Sequence, residues 1–366
     1  MHAHTIGSRI DTVIDGLWQA GGTDLLLTAG LPPQIRVQGR LQSMPGAALL
    51  SPADTEALLA ELLTPVQAAR WDAEHELDFS VGWRDKARIR GNAFIQRGAT
   101  TVTLRIVARA IPTMRQLGVP AVLGSFVQLN QGLVIVTGPR GSGKSTTLAS
   151  MIDAINTHRA CHIITVEDPI EYLFDHKRSA VNQREVASDT ASLGDALRSA
   201  LREDPDVLLV AEIRDAESAR IALTVAETGH LVLAGLNATD TTQSVARLID
   251  LFPPEQHGLA RARMSAALTG IVGQRLLPRV GGGLIAAFEV LVADTAIRNL
   301  IKDGKTNQLR NTMMTSRSQG MATFEQSLTA LVQSGQVRYD EAVLYSLYPQ
   351  DIVPNFSQPW SGAGAR

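Results

Sequence analysis

One cysteine, Cys161, is all that the chain has in 366 residues. An intrachain disulfide and a four-thiolate zinc site are therefore excluded, and a reducing, cytoplasmic compartment is expected. No apolar run reaches the roughly 20 residues needed to cross a bilayer, so any membrane role is expected to be peripheral. Met1-His2-Ala3-His4 is not a basic stretch leading into an apolar core, which is the pattern of a secretory signal. Charge of one sign is missing too. The formal net charge is −2, and this gives no electrostatic footprint for nucleic acid. No solenoid period and no heptad run is visible. What is present is an ordinary globular composition, 45% apolar, over a length that suits two domains.

The first of these is expected to span residues 1–110 as a smaller α+β domain. Ile10, Val13, Ile14, Leu17 and Trp18 recur at helical spacing before Gly21-Gly22. Strand-like pieces follow at 24–28 and 33–38. Ser51-Pro52 and Thr64-Pro65 each set a capping hydroxyl before a proline, predicting two helix starts. Alternation over 87–95 and 101–107 predicts two half-buried strands of an antiparallel sheet. Arg88, Arg90, Arg97 and Arg105 concentrate on or beside that sheet, where a solvated strand face is the plain reading.

Residues 111–120, bracketed by Ile111-Pro112 and Val119-Pro120, read as a linker. From 121 to 348, strand, loop and helix alternate as in a parallel α/β sheet. Strands are predicted at 133–137, 162–167, 207–212 and 231–237. After Phe252-Pro253-Pro254 the pattern reads as mainly helical, interrupted by one strand at 284–292. Residues 349–366 read as a flexible tail rich in Pro, Gly and Ser.

The chemistry concentrates in Gly138-Pro139-Arg140-Gly141-Ser142-Gly143-Lys144-Ser145-Thr146. An apolar strand precedes it and an amphipathic helix follows, which is the context a P-loop requires. Its backbone N–H groups and the helix N-terminus would surround phosphate oxygens. Lys144 would reach the β- and γ-phosphates of ATP, and the Ser145 hydroxyl would hold Mg²⁺. Acids recur at the carboxyl ends of the following strands, where open α/β sheets hold their ligands. Glu212 ends the apolar run Val207-Leu208-Leu209-Val210-Ala211 as a Walker B acid and is the candidate water-activating base. Glu167 and Asp168 are candidates for Mg²⁺ or its waters, and Glu167 is also a candidate catalytic group.

Glu167-Asp168-Pro169-Ile170-Glu171 resembles the Asp box of the type II/type IV secretion ATPase superfamily. Ala226-Glu227-Thr228-Gly229-His230-Leu231-Val232 resembles its His box, and Leu197 to Asp206 resembles its approach to Walker B. Within it the likeness is to the type IV pilus retraction ATPases, the PilT/PilU family, and runs from Leu31 to Leu328. Ala296-Ile297-Arg298-Asn299-Leu300-Ile301 matches the AIRNLI motif of the PilT branch, although its spacing alone describes an ordinary amphipathic helix. Gly320 to Leu344 and Phe94 to Arg97 are at least as similar to PilU. The PilT branch is favoured.

The resemblance implies a PAS-like domain before a RecA-like P-loop ATPase domain. It implies a homohexamer that hydrolyses ATP with Mg²⁺ to power pilus retraction and twitching motility. The ring would work at the inner face of the cytoplasmic membrane against the pilus platform protein, with a paralogous retraction ATPase as a further partner. His230 would sense the γ-phosphate or a neighbouring subunit, and one of Arg88, Arg90, Arg97 and Arg105 would act at the ATP site. Some positions depart from the family pattern. Asn237 replaces a second histidine and cannot take a proton near neutral pH. Ala211 replaces a glycine, Leu26 a histidine, and Arg140 a smaller neutral residue. Two other readings are an accessory or scaffold subunit like PilU and a nucleic-acid translocase of RecA type. The near-neutral charge argues against the second.

Overall fold

The computed structural model describes residues 9–37, 40–84, 87–108 and 110–354. Two compact units form, 1–110 with 171–173, and 111–170 with 174–366. The tail expected at 349–366 lies, from 355 onward, outside the described residues, as do Met1 to His4.

The first unit runs α1 (Arg9–Gln19), β1 (Asp24–Leu27), β2 (Gln34–Val37), β3 (Arg40–Ser43), α2 (Pro52–Ala60), α3 (Pro65–Glu74), β4 (Glu76–Trp83), β5 (Ala87–Gln96), β6 (Ala99–Ala108). Its six strands form one antiparallel sheet in the order β3-β2-β1-β6-β5-β4. This is the α+β, PAS-like arrangement expected. Alternation decides which face is inside: Ile89 and Ala93 are buried while Arg88, Arg90 and Asn92 are half-buried. The inward face meets Ile10, Ile14 and Leu17 of α1. Ser51 and Thr64 both close capping boxes, with Pro at the first helical turn. The Trp83 indole N–H donates to buried Asp11 at 3.1 Å. β4 was not anticipated, although Leu77, Phe79, Val81 and Trp83 alternate along it.

The second unit runs α4 (Val122–Phe126), β7 (Gly132–Thr137), α5 (Lys144–His158), β8 (His162–Glu167), β9 (Ala180–Glu185), α6 (Leu193–Ala200), β10 (Val207–Val210), α7 (Ala216–Glu227), β11 (Leu231–Leu236). It continues through α8 (Thr241–Asp250), α9 (His257–Ala267), β12 (Leu268–Pro278), β13 (Leu284–Val292), α10 (Thr295–Lys302), α11 (Leu309–Thr315), α12 (Phe324–Gln333) and α13 (Tyr339–Tyr345). The sheet order is β13-β12-β7-β11-β10-β8-β9, parallel except for β13. Every residue of β7, β10 and β11 is buried, as a sheet covered on both faces demands. On one face α5 sets Leu148, Met151, Ile152 and Ile155 against Val134, Val136 and Leu209. On the other, α6 to α10 cover Leu133, Ile135, Leu208 and Val232.

One expectation is corrected. Residues 268–278 form a strand and not a helix, because Met264, Ala267 and Ile271 extend a helical spacing past the true end of α9 at Ala267. Gly270 and Gly273 further blur the strand pattern.

In α10, Ile297 and Ile301 are 0% exposed on one face, while Asn299 is exposed. Ile301→Ala is expected to lower the unfolding free energy by about 2–5 kcal/mol. Asn299→Ala is expected to change it by less than about 0.5 kcal/mol. Chemical denaturation of the two variants checks this.

Candidate functional site

The glycine loop joins buried β7 to the start of α5, and its conformation needs glycine. Gly138 has φ +153° and Gly143 φ +88°. A Cβ on Gly143 would stand 2.7 Å from the Gln274 side-chain nitrogen, and one on Gly138 would strike the Gln274 carbonyl. Gly143 is also the N-cap of α5, so no side chain caps that helix. Its first N–H groups are orphans that an anion satisfies. The Ser142 hydroxyl is buried with no hydrogen-bond partner among the described residues. Lys144 folds onto the loop itself, donating to the carbonyls of Gly138 at 2.7 Å and Pro139 at 3.0 Å. Ser145 and Thr146 are half-buried in the first turn of α5, while Pro139, Arg140 and Gly141 are exposed. An uncapped helix end, an orphan hydroxyl and an ammonium at the loop's centre fit a polyphosphate.

Because β7, β11, β10 and β8 are parallel neighbours, their carboxyl ends share one edge. That edge carries the loop after Thr137, Asn237 after β11, Glu212 just past β10, and Glu167 and Asp168 at the end of β8. Glu167 is buried and its Oε1 accepts from Thr165 Oγ1 at 2.7 Å and Gln183 at 3.0 Å. Half-buried Glu212 accepts from Arg214 Nε at 3.0 Å, and the same guanidinium donates to Asp168 at 2.9 Å. Burial opposes the Arg214 charge, but the Glu212 and Asp168 carboxylates outweigh it and hold its pKa above the ordinary value. Among the described residues, no group of three or more His, Cys, Asp or Glu side chains surrounds a common metal position. Mg²⁺ does not demand one: it keeps several waters and takes one or two protein ligands beside phosphate oxygens. Ser145 with Glu167 or Asp168 fits that smaller set.

His230 is not part of this edge. It opens β11, and its carbonyl accepts from Gly132 N at 3.0 Å, at the start of β7. β7 then runs from Gly132 to Thr137 before the loop begins, roughly 17 Å at about 3.3 Å per residue. His230 therefore stands well away from the glycine loop of its own chain. Its Nδ1 sits 3.2 Å from the Val225 carbonyl, at the end of α7.

The sequence profile of the type II/IV secretion system protein family matches residues 65–343. The chain belongs to that family. It is 42% identical over 332 residues to the type IV pilus retraction ATPase PilT of Pseudomonas aeruginosa, covering 91% of this chain and 96% of that protein. It is 38% identical over 335 residues to the type IV pilus ATPase PilU of the same organism, covering 91% and 87% respectively. The crystal structure of the pilus retraction motor PilT with bound ADP superposes with a TM-score of 0.89 at 42% identity, over 94% of this chain and 98% of that one. The RecA-like P-loop fold expected from the sequence is that of this secretion family.

Of the four arginines of the smaller unit, Arg88, Arg90 and Arg105 share one sheet face and Arg97 stands apart. Arg90 faces Arg105 across the β5–β6 pair. Arg88 lies on the same face and donates to Ser80 at 2.6 Å, and Arg105 donates to Asp24 at 2.7 Å. Arg90 reaches Glu171, which clusters with this unit, at 3.4 Å. Arg97 sits at the exposed hairpin tip, where it and Gly98 both have positive φ, 50° and 77°, as a type I′ turn requires. Sequence reasoning missed Arg214 and Gln274. The first lay two residues beyond Glu212 as an unremarked cation. The second lies on the strand read as helix, and its Oε1 accepts from Thr147 Oγ1 in α5 at 2.6 Å.

Gly143→Ala places a Cβ against Gln274 at a backbone angle that L-residues avoid. Affinity for a fluorescent ADP analogue is expected to fall at least about tenfold, with the fold retained by circular dichroism.

Proposed function

We propose that this chain is a Mg²⁺-dependent motor ATPase that drives type IV pilus retraction. It acts as a homohexamer at the inner face of the cytoplasmic membrane, against the pilus platform protein and alongside a paralogous retraction ATPase. One observation carries this reading: the likeness to PilT extends over both units and is not confined to the P-loop unit. The AIRNLI helix, present as α10, favours PilT over PilU.

The loop glycines and the start of α5 bind and orient the phosphates. Lys144 leaves the Gly138 and Pro139 carbonyls for the β- and γ-phosphate oxygens. Glu212 positions water and accepts its proton, and Arg214 holds that carboxylate in place. Ser145, with Glu167 or Asp168, would hold Mg²⁺, which neutralises charge between phosphate oxygens when bound. Balancing the remaining charge needs a further cation, and an arginine finger is worth about 10³–10⁵ in rate. One of Arg88, Arg90, Arg97 and Arg105 supplies it across a subunit interface.

Lys144→Ala is expected to lose nucleotide affinity and turnover together. Glu212→Gln is expected to retain ATP while losing turnover by at least about 100-fold. Cells carrying either variant should keep surface pili and lose twitching. Glu212→Gln turning over ATP at the wild-type rate removes the base assignment.

Alanine at each of the four arginines should yield at least one variant that binds ATP and assembles but does not hydrolyse. Mixing it with Glu212→Gln subunits should restore activity, since some interfaces then join an intact base to an intact arginine. Four variants with normal turnover exclude a finger from this sheet.

A further inference from the structure

The second unit contains a cavity of about 370 Å³ whose lining includes Gln274 but none of the loop glycines that Gln274 presses on, and whose size is within the roughly 300–1,000 Å³ range of small-molecule sites. Its walls come from the start of α8, from β12 and β13, from α11 and from the start of α12. Glu289 of β13 stands in the wall, only 6% exposed. One of its oxygens accepts from Thr241 N at 2.7 Å. The other has no hydrogen bond among the described residues.

The charges around Glu289 do not balance. Arg310 donates to Glu325 at 3.0 Å and to Asp351 at 2.6 Å, and it stacks on the Tyr348 ring. Arg275 spends its donors on the carbonyls of Tyr345 and Thr239. Asp240, the remaining acid of the wall, caps α8 through Gln243 N at 2.7 Å. Among the described residues the Arg310 Nε keeps no hydrogen-bond partner, but no hydrogen bond of either guanidinium group goes to Glu289, which is left without a paired counter-charge. Burial first, and then the Asp240 and Glu325 carboxylates, push its pKa up to about 7, against the opposing pull of Thr241.

An anion is disfavoured by three carboxylates in one wall. A bare metal ion is disfavoured because the described acids do not converge on a common position. An organic cation meets both conditions, since its N–H donors are spread over several atoms. Asn307, Asn311 and Gln243 offer amide acceptors around Glu289, and Phe324 and Leu347 offer apolar wall for a short alkyl chain.

We propose that this cavity binds an alkyl guanidinium or ammonium group, paired with the Glu289 carboxylate. The cation requires Glu289 ionised, so below about pH 7 its binding must also expel a proton. Affinity then falls as pH falls, by about tenfold between pH 8 and pH 6.

Isothermal titration of the full-length protein with agmatine, putrescine and N-acetyl-arginine amide tests the site. Agmatine is expected to bind saturably, with proton release near pH 7 and the tenfold pH dependence. Glu289→Gln should weaken binding at least about tenfold and flatten that dependence. Asn311→Trp, an exposed position, should fill the cavity and abolish binding with Glu289 untouched; it decides the matter if the first variant does not fold. Tight binding of N-acetyl-arginine amide assigns the cation to a protein side chain, and preference for agmatine or putrescine assigns it to a free metabolite. No saturable binding of any probe overturns the proposal, and so does equal binding by folded Glu289→Gln.

Discussion

Helix α5 begins without a side-chain cap, and much of the second unit is arranged around that fact. A capped helix end needs nothing from outside; an uncapped one in a partly buried place needs an acceptor. Asp215, Asp240 and Asp294 cap α7, α8 and α10 through side-chain oxygens. Gly143 offers none to α5. The loop around it admits no Cβ at Gly138 or Gly143 because β12 presses close through Gln274, which also ties down Thr147. Neighbouring strand and helix thus hold open a concavity of N–H groups whose natural occupant is phosphate.

The parallel sheet adds the acids. Strands running one way end on one edge, so Glu167 and Glu212, 45 positions apart in the chain, reach the loop's edge without a local sequence reason. β11 lies between β7 and β10, so the Walker B acid stands two strands from the loop. Arg214 then bridges Glu212 to Asp168. A carboxylate held this way is fixed in direction, which a water-activating base requires.

Much of this was legible in the sequence because it depends on local pattern. The loop's spacing, the caps at Ser51 and Thr64 and the apolar runs of β7, β10 and β11 each state their structure within a few residues. What was illegible depends on pairing. β12 carries glycines where β7 and β13 pack against it, and its first residues continue the period of α9, so no local count separates strand from helix. Gln274 and Glu289 were lost with that pairing, since their meaning lies in contacts with α5 and α8. β4 is the opposite case, a clear alternation between Leu77 and Trp83 that was passed over.

The His-box segment shows how far contiguity in sequence differs from contiguity in space. His230 and Asn237 bracket β11, whose six residues are all buried. A strand of that length sends its two ends to opposite edges of the sheet, so the two positions cannot serve one phosphate of the same chain. Asn237 shares the edge with the P-loop and Glu212, with β11 flanked by the strands that carry them. An asparagine at that position cannot take a proton near neutral pH. Asn provides both a donor and an acceptor there. The amino edge, where His230 lies against the end of α7, is a separate place whose chemistry has to be sought in what meets that edge and not in the chain's own nucleotide.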